Sequence, residues 1–310
     1  MHEKIVVITR KTRLDELIER FNTREQAKFY IEHMGLDFTD YEREHETYSD
    51  AVGHLRRTVS GLIAKLQFIE RAFLPNFIFT PQDLVMTIGQ DGLVVNTAKY
   101  LSGQPIVAVN PDSERYDGIL LPFSPEKAAA GVQRVLEGRA NYYLVTMAEA
   151  LLNDGQRLLA FNDFLVGQRS HVSARYSLTW RKKTERQSSS GVLVSTGAGS
   201  TGWLSSTQHM AAAVSRLLLN GKAPDLPRLR LTWEDPRLVF VVREPFLSRA
   251  SSVSLAAGLL EQGEELRIES HMPESGVIFS DGVEADYLAF NSGAVATIRA
   301  AAQQTRLVAA

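Results

Sequence analysis

Leu84-Val85-Met86-Thr87-Ile88-Gly89-Gln90-Asp91-Gly92-Leu93 decides how the chain begins to fold. A short apolar run follows the turn-prone Pro81-Gln82-Asp83 and stops at a glycine, as a buried strand does. A helix-compatible stretch, Leu93 to Leu101, comes next, and Pro105-Ile106-Val107-Ala108-Val109 repeats the strand pattern up to Asn110-Pro111. Upstream, Ile5 to Thr9 is rich in β-branched residues, as buried parallel strands are. Leu14, Leu17, Ile18 and Phe21 then recur at helical spacing, as do Ala27, Tyr30, Ile31 and Met34. Thr23 followed by Gln26 opens the second of these helices, and Gly35 ends it. Tyr48, Val52, Leu55, Val59 and Leu62 mark a third helix. Periodicity leaves Lys65 to Ile69 open between a continuation of that helix and a strand. Ser124-Pro125-Glu126 supplies an N-cap, a proline at the first helical position and an early acid. Alternating strands and helices predict an α/β domain with a parallel, Rossmann-like sheet over residues 1–138.

The pattern changes beyond that point. Tyr142 to Leu152 and Arg157 to Val166 flank Asn153-Asp154-Gly155, a hairpin signal. Strand-like runs return at 173–180, 191–195, 238–242, 253–256, 265–270 and 277–280, interrupted by one helix from about Thr201 to Leu219. Residues 139–310 are therefore expected to form a mostly antiparallel β domain. Arg181-Lys182-Lys183 with Arg186 reads as a solvated hairpin tip.

Bulk properties narrow the function classes. The 310 residues are 44% hydrophobic and 23% charged, enough for a sizeable core in a soluble chain. A formal net charge of −2 gives no global basic field to recruit nucleic acid. With no cysteine, disulfide scaffolds, thiolate metal sites and cysteine nucleophiles are excluded. The seven histidines are scattered without ligand spacing, so no metal site is assigned. No stretch approaches the length of a membrane span, and a soluble, cytoplasmic protein is expected.

Two loops carry the candidate chemistry. In Gly89-Gln90-Asp91-Gly92, glycines at a strand-to-helix junction allow backbone amides to approach phosphate, and a helix N-terminus favours anions. A carboxylate there would repel phosphate unless it accepts a hydroxyl proton or holds Mg²⁺. An ordinary Gly-Asp-Gly turn is the competing reading. Ser195-Thr196-Gly197-Ala198-Gly199-Ser200-Thr201-Gly202-Trp203 combines three glycines with four hydroxyls between a strand and a helix. It lacks the Gly-Lys-Ser/Thr of a Walker loop but can serve phosphates or ribose, with Trp203 stacking on a ring. A capped helix start with Trp203 in the core is the alternative. Asn162-Asp163 interrupts a strand-like run, through a cleft-facing polar side chain or through a bulge. Asp281-Gly282 favours a hairpin turn.

Taken in order, these pieces resemble the NAD kinase family over roughly residues 5 to 308. Its Gly-Gly-Asp-Gly-Thr loop is here Gly89-Gln90-Asp91-Gly92-Leu93, and its Asn-Glu/Asp pair is Asn162-Asp163. Its Thr-Gly-Ser-Thr-Ala-Tyr-like loop matches Gly197 through Trp203, and Asp281-Gly282 stands where the family has a late Asp-Gly. The stretch from Val109 through Asp117-Gly118, Ser189-Ser190-Gly191 and Trp203 look most like the mitochondrial-type branch. The resemblance implies phosphorylation of the adenosine ribose 2′-hydroxyl of NAD by ATP with Mg²⁺, giving NADP. It makes Asp91 the catalytic proton acceptor, with Gly89, Gln90, Gly92, Gly199 and Ser200 along phosphates. Asn162, Asp163, Thr201, Trp203 and Ser206 would contact the dinucleotide, in a homodimer or larger homo-oligomer.

Three residues depart from that pattern. Gln90 replaces a glycine, Leu93 a threonine, and Ser190 stands where most of the family has an acid. These departures leave two further readings: a non-catalytic dinucleotide sensor, or a related kinase with another acceptor, such as a lipid alcohol.

Overall fold

The computed structural model describes residues 2–221 and 227–310. The chain divides into two units, 1–143 with 305–310, and 144–304. The last six residues belong to the first unit.

In the first unit, β1 (Lys4–Thr9) leads to α1 (Arg13–Phe21), α2 (Arg24–His33), α3 (Thr39–Val59) and β2 (Lys65–Glu70). Then follow β3 (Asp83–Ile88), α4 (Asp91–Ala98), β4 (Pro105–Val109) and α5 (Pro125–Leu136). The open segment 65–70 is thus a strand. It pairs parallel to β1, from Lys4 opposite Lys65 to Thr9 opposite Glu70. β1 also pairs parallel to β3, and β3 to β4, giving the order β2-β1-β3-β4. Local chemistry fixes the helix ends. Thr12 and Asp15 form a capping box on α1, Thr23 accepts from Gln26 N–H on α2, and Gly35 takes φ +74° after α2. The buried face of α3, including Tyr48, Leu55 and Val59, packs with Ile5, Val7, Met86 and Val107 of the sheet and Val132 of α5.

The second unit holds most of β5 (Tyr142–Leu152), β6 (Arg157–Ala160), β7 (Asp163–Gln168), β8 (Ala174–Trp180), β9 (Lys183–Ser189) and β10 (Val192–Ser195). These are followed by α6 (Trp203–Leu218), β11 (Leu238–Val242), β12 (Ala257–Leu260), β13 (Leu266–Ser270), β14 (Gly276–Ser280) and β15 (Val283–Ala289). Last comes β16 (Val295–Val308). One antiparallel sheet runs β12-β11-β10-β7-β14-β15, and β13 lies between β16 and β8 in another, with β9 beside β8. The inward faces share one core containing Phe164, Tyr176, Val194, Phe240, Ile268 and Phe290. This is the expected α/β domain followed by antiparallel β structure.

Three local expectations need correction. The run 157–166 is two strands, broken at Phe161-Asn162. The segment 253–256 is not a strand, because Leu255 N–H donates to Glu185 Oε2 at 2.9 Å, and pairing begins at Ala257. Residues 181 and 182 do turn, with Arg181 at φ +54°, but Lys183 onward is β9. Its buried face is polar: Glu185, Gln187 and Ser189 are buried, and Tyr176 Oη meets Gln187 at 3.2 Å and Ser189 at 2.7 Å. Apolar alternation could not reveal such a strand.

Candidate functional site

The first candidate region lies where the parallel sheet reverses its winding. Chain order β1-β2-β3-β4 against spatial order β2-β1-β3-β4 puts the switch between β1 and β3. Open α/β sheets bind ligands outside the carboxyl ends of strands at that point. Those ends carry Thr9-Arg10 on one side and Ile88 through Asp91 on the other. Tyr48 of α3 ties them together: its hydroxyl accepts from Arg10 N–H at 2.9 Å and donates to Ile88 O at 3.1 Å. Burial pushes that phenol up to about 12.

Gly89 is buried, and its N–H donates to Val109 O at 3.2 Å. A Cβ there would lie 2.9 Å from Leu93 Cδ2, so the small residue lets Leu93 pack beneath the loop. Gln90 is exposed and caps α4 with its backbone alone. Its side chain lies near the Tyr116 phenol. Asp91 is the first residue of α4, and its Oδ1 accepts the Leu120 N–H at 2.6 Å. Gly92 is exposed, with no atom within 4 Å of a Cβ placed on it. Gly89, Gln90, Asp91 and Gly92 thus lie together on one loop and helix start, with Asp91 half-buried.

Sequence reasoning missed the charged frame around this loop. Arg10 Nη2 donates to Glu44 Oε1 and to Tyr116 Oη, each at 2.9 Å, and its guanidinium lies 5.0 Å from the Tyr48 ring centroid. Glu44 also binds Arg13, and Asp40 binds both Arg13 and Arg115. Burial raises the Glu44 carboxyl, but hydrogen bonds from Arg13 and Arg10 outweigh it and hold it below the usual range. Bonds from Arg115 and Arg13 hold the Asp40 carboxyl well below that range. The available signal was Glu44 four residues before Tyr48 on the apolar stripe of α3, an acid where the helix buries its face.

The second region is built around Asp281. Asp281 and Gly282 turn β14 into β15 with φ +54° and +68°, as a hairpin turn does. The Asp281 carboxylate also accepts the backbone N–H groups of Phe161 at 3.0 Å, Asn162 at 2.6 Å and Asp163 at 3.2 Å. On the carbonyl side, Thr196 Oγ1 donates to Phe161 O at 2.6 Å, and Thr196 N–H to Asn162 O at 2.9 Å. Backbone groups that would continue the strand are diverted, which is why it breaks between β6 and β7. Asp163 is buried, and burial first, then the Asp281 charge, raises its carboxyl to about 7.

The glycine loop packs onto this break. A Cβ on Gly199 would lie 2.2 Å from Asn162 O, and one on Gly197 would lie 1.8 Å from Thr232 O. The Gly199 N–H donates to Thr196 Oγ1 at 3.2 Å. Buried Ser200 turns its hydroxyl to Gly197 O at 2.7 Å and Leu231 O at 3.2 Å. Gly199 and Ser200 therefore use these groups within the loop itself. Thr201 and Ser206 are exposed, and Asn162 is half-buried. Trp203 starts α6 half-buried against Leu193, Leu204, Leu231 and Val239, with the Arg243 guanidinium 5.1 Å from its ring centroid. Its ring thus serves a small core and keeps one part exposed. A hollow of about 210 Å³ at the start of α6 is lined by residues that include Thr201, Ser205, Gln208, Arg228 and Arg230.

Among the described residues, no helix is long and apolar enough to cross a membrane, and no group of three or more His, Asp or Glu could hold a metal ion.

No protein-family model matches the chain. The NAD kinase of Chlorobium phaeobacteroides (strain BS1) is 25% identical over 126 residues, covering 39% of this chain and 43% of that protein. The match therefore spans less than half of the relative's length. The crystal structure of yeast NADH kinase complexed with NADH superposes with a TM-score of 0.60 at 16% identity, covering 100% of this chain and 84% of that one. An NAD kinase from Archaeoglobus fulgidus in complex with ATP gives a TM-score of 0.51 at 14% identity, covering 98% and 92%. The fold is that of the NAD kinases. The resemblance to the NAD kinase family read from the loops is met again in these relatives.

Proposed function

We propose that this chain is an NAD kinase-like phosphotransferase that moves the γ-phosphoryl group of MgATP to the adenosine ribose 2′-hydroxyl of NAD, forming NADP. The observation that carries the reading is Asp91. It is a carboxylate at the switch point of the sheet, on the first turn of a helix, with one oxygen held by a backbone N–H. A helix start favours an acid on its own account; what supports a chemical role is that this carboxylate stands at the sheet's switch point beside an open glycine loop, where a reaction with phosphate needs a proton acceptor.

In this reading Oδ2 of Asp91 takes the proton of the 2′-hydroxyl as its oxygen attacks the γ-phosphorus. The bond to the β-phosphate oxygen breaks, and ADP leaves. Gly89, Gln90 and Gly92 line the phosphate path, with open space beside Gly92. Mg²⁺ bound with ATP would supply charge neutralisation on the transferred phosphoryl group. Asn162, Asp163, Thr201, Trp203 and Ser206 serve the dinucleotide. The relatives point the same way, one structure holding NADH and another ATP. A homodimer or larger homo-oligomer in the cytoplasm completes the proposal.

The test is NADP formation from NAD, ATP and Mg²⁺ by the purified protein and by Asp91→Asn. The variant should lose on the order of 10²–10⁴-fold in turnover, with NAD affinity retained. Wild-type-like turnover in Asp91→Asn would remove Asp91 from the mechanism. NAD binding without any NADP formed by the wild type would identify a dinucleotide sensor instead.

A further inference from the structure

We propose that Asn110 is a positioning residue for Asp91, acting through the loop from residue 110 to residue 121. This inference rests on the proposed reaction only for its kinetic consequence; the geometry stands independently.

The loop leaves the carboxyl end of β4 and comes back along it, with Asn110 N–H donating to Phe123 O at 2.8 Å. Asn110 is buried, and its amide is used from both ends. Nδ2 donates to Tyr116 O at 3.0 Å, and Oδ1 accepts from Asp112 N–H at 3.0 Å. One side chain therefore supplies hydrogen bonds that a strand partner or water would otherwise give to the loop backbone. Gly118 fits around it. Its φ is +63°, and a Cβ there would lie 2.5 Å from Asn110 Nδ2, so both the conformation and the close approach require glycine. Gly118 O then accepts from Leu121 N–H at 2.9 Å, a turn that directs the Leu120 N–H at Asp91 Oδ1, 2.6 Å away.

Among the described residues, that N–H is the hydrogen-bond donor that meets the Asp91 carboxylate. It fixes the rotation of the carboxylate and leaves Oδ2 for a substrate hydroxyl. A proton acceptor must lie within hydrogen-bond reach of the proton it takes, and small displacements of such a group are costly in rate. Asn110 touches neither Asp91 nor any reacting atom. It acts by holding the peptide that does.

The decisive measurement is the Leu120 amide resonance in selectively ¹⁵N-leucine-labelled protein, read beside steady-state kinetics. A backbone N–H donating to a carboxylate resonates downfield, and Asp91→Asn identifies the signal by moving it. Asn110→Ala should move the same amide upfield. Turnover should fall roughly 10–100-fold while the Michaelis constants for NAD and ATP stay within about twofold, the pattern of an interaction made in the transition state. Asn110→Ser, which retains a shorter polar group, is the second variant where the alanine form does not fold, and should show the same changes in smaller measure. A Leu120 amide unmoved in a folded Asn110 variant overturns the proposal, whatever the kinetics. So does a moved amide with unchanged turnover in an active enzyme. If the wild type makes no NADP, the proposed reaction fails, and the amide shift alone still decides whether Asn110 sets the Asp91 carboxylate.

Discussion

Asp163 shows how much of a site's behaviour is set by what surrounds one side chain. Its carboxyl is buried beside the Asp281 carboxylate and keeps its proton to about pH 7, whereas the unfolded chain releases it near the ordinary value of 3.8. Between those values the folded state binds more protons, so this residue's contribution to stability falls as pH rises from about 4 to about 7, then levels off. Asp163→Asn should therefore be near neutral in stability at pH 4 and more stable than wild type at pH 8, by on the order of a few kcal/mol. Calorimetry at the two values reads this, and an equal effect at both would show that buried charge is not the cause. The glycines teach a related lesson. A phosphate loop and a tightly packed turn both ask for glycine, and the sequence of 195–203 does not say which. Contact with Asn162 O assigns Gly199 to packing, while the open space at Gly92 leaves that position free for a ligand. Gln90 and Leu93, the departures from the family pattern, are accommodated differently. Leu93 is buried under Gly89, and Gln90 is exposed beside Tyr116.

At the level of elements, what was legible followed from period and punctuation. The strand-loop-helix of β3 and α4 could be read because an apolar run ends at glycine, and α5 because serine and proline announce it. The break between β6 and β7 could not be located, because its cause, Asp281, lies more than a hundred residues away in sequence. The polar pair Asn162-Asp163 signalled an irregularity without naming the partner. β9 escaped for the opposite reason, being regular but polar on its buried face. The cap at the break can be tested directly. Asp281→Ala leaves the N–H groups of Phe161, Asn162 and Asp163 without their acceptor, and each buried donor so orphaned costs about 1–3 kcal/mol. A loss of at least about 3 kcal/mol in urea unfolding is expected. The milder Asp281→Asn should bring the Asp163 carboxyl below its value of about 7, though burial, the larger cause, keeps it above 3.8. An unchanged Asp163 titration in that variant would separate the two carboxylates.

Across the whole molecule, the sequence indicated two domains in order, an α/β part and then a β part, but not that the chain re-enters the first. β16 begins in the second unit and its last residues belong to the first, where Arg306 and Leu307 pair parallel with Pro105 and Ile106 of β4. That end of the strand was hard to read because 299–304, Arg-Ala-Ala-Ala-Gln-Gln, shows neither alternation nor β-branched residues, so nothing marks a strand passing through it. The pairing matters for the candidate site, because β4 lies between β3 and β16 and carries Asn110 just past its end. Leu307 and Val308 are buried, and Val308 packs with Ile5, Met86 and Val109. Leu307→Ala should cost about 2–5 kcal/mol, the range for truncating a buried leucine. The loss should fall on one unit. Amide hydrogen exchange should accelerate in β4 and β3, while β7 and β10 of the second unit keep their protection. If protection instead drops equally in both units, the chain unfolds as one cooperative block, and the two-unit division has no energetic meaning. If β4 keeps its protection, the strand's last residues do not stabilise the sheet that presents Asp91.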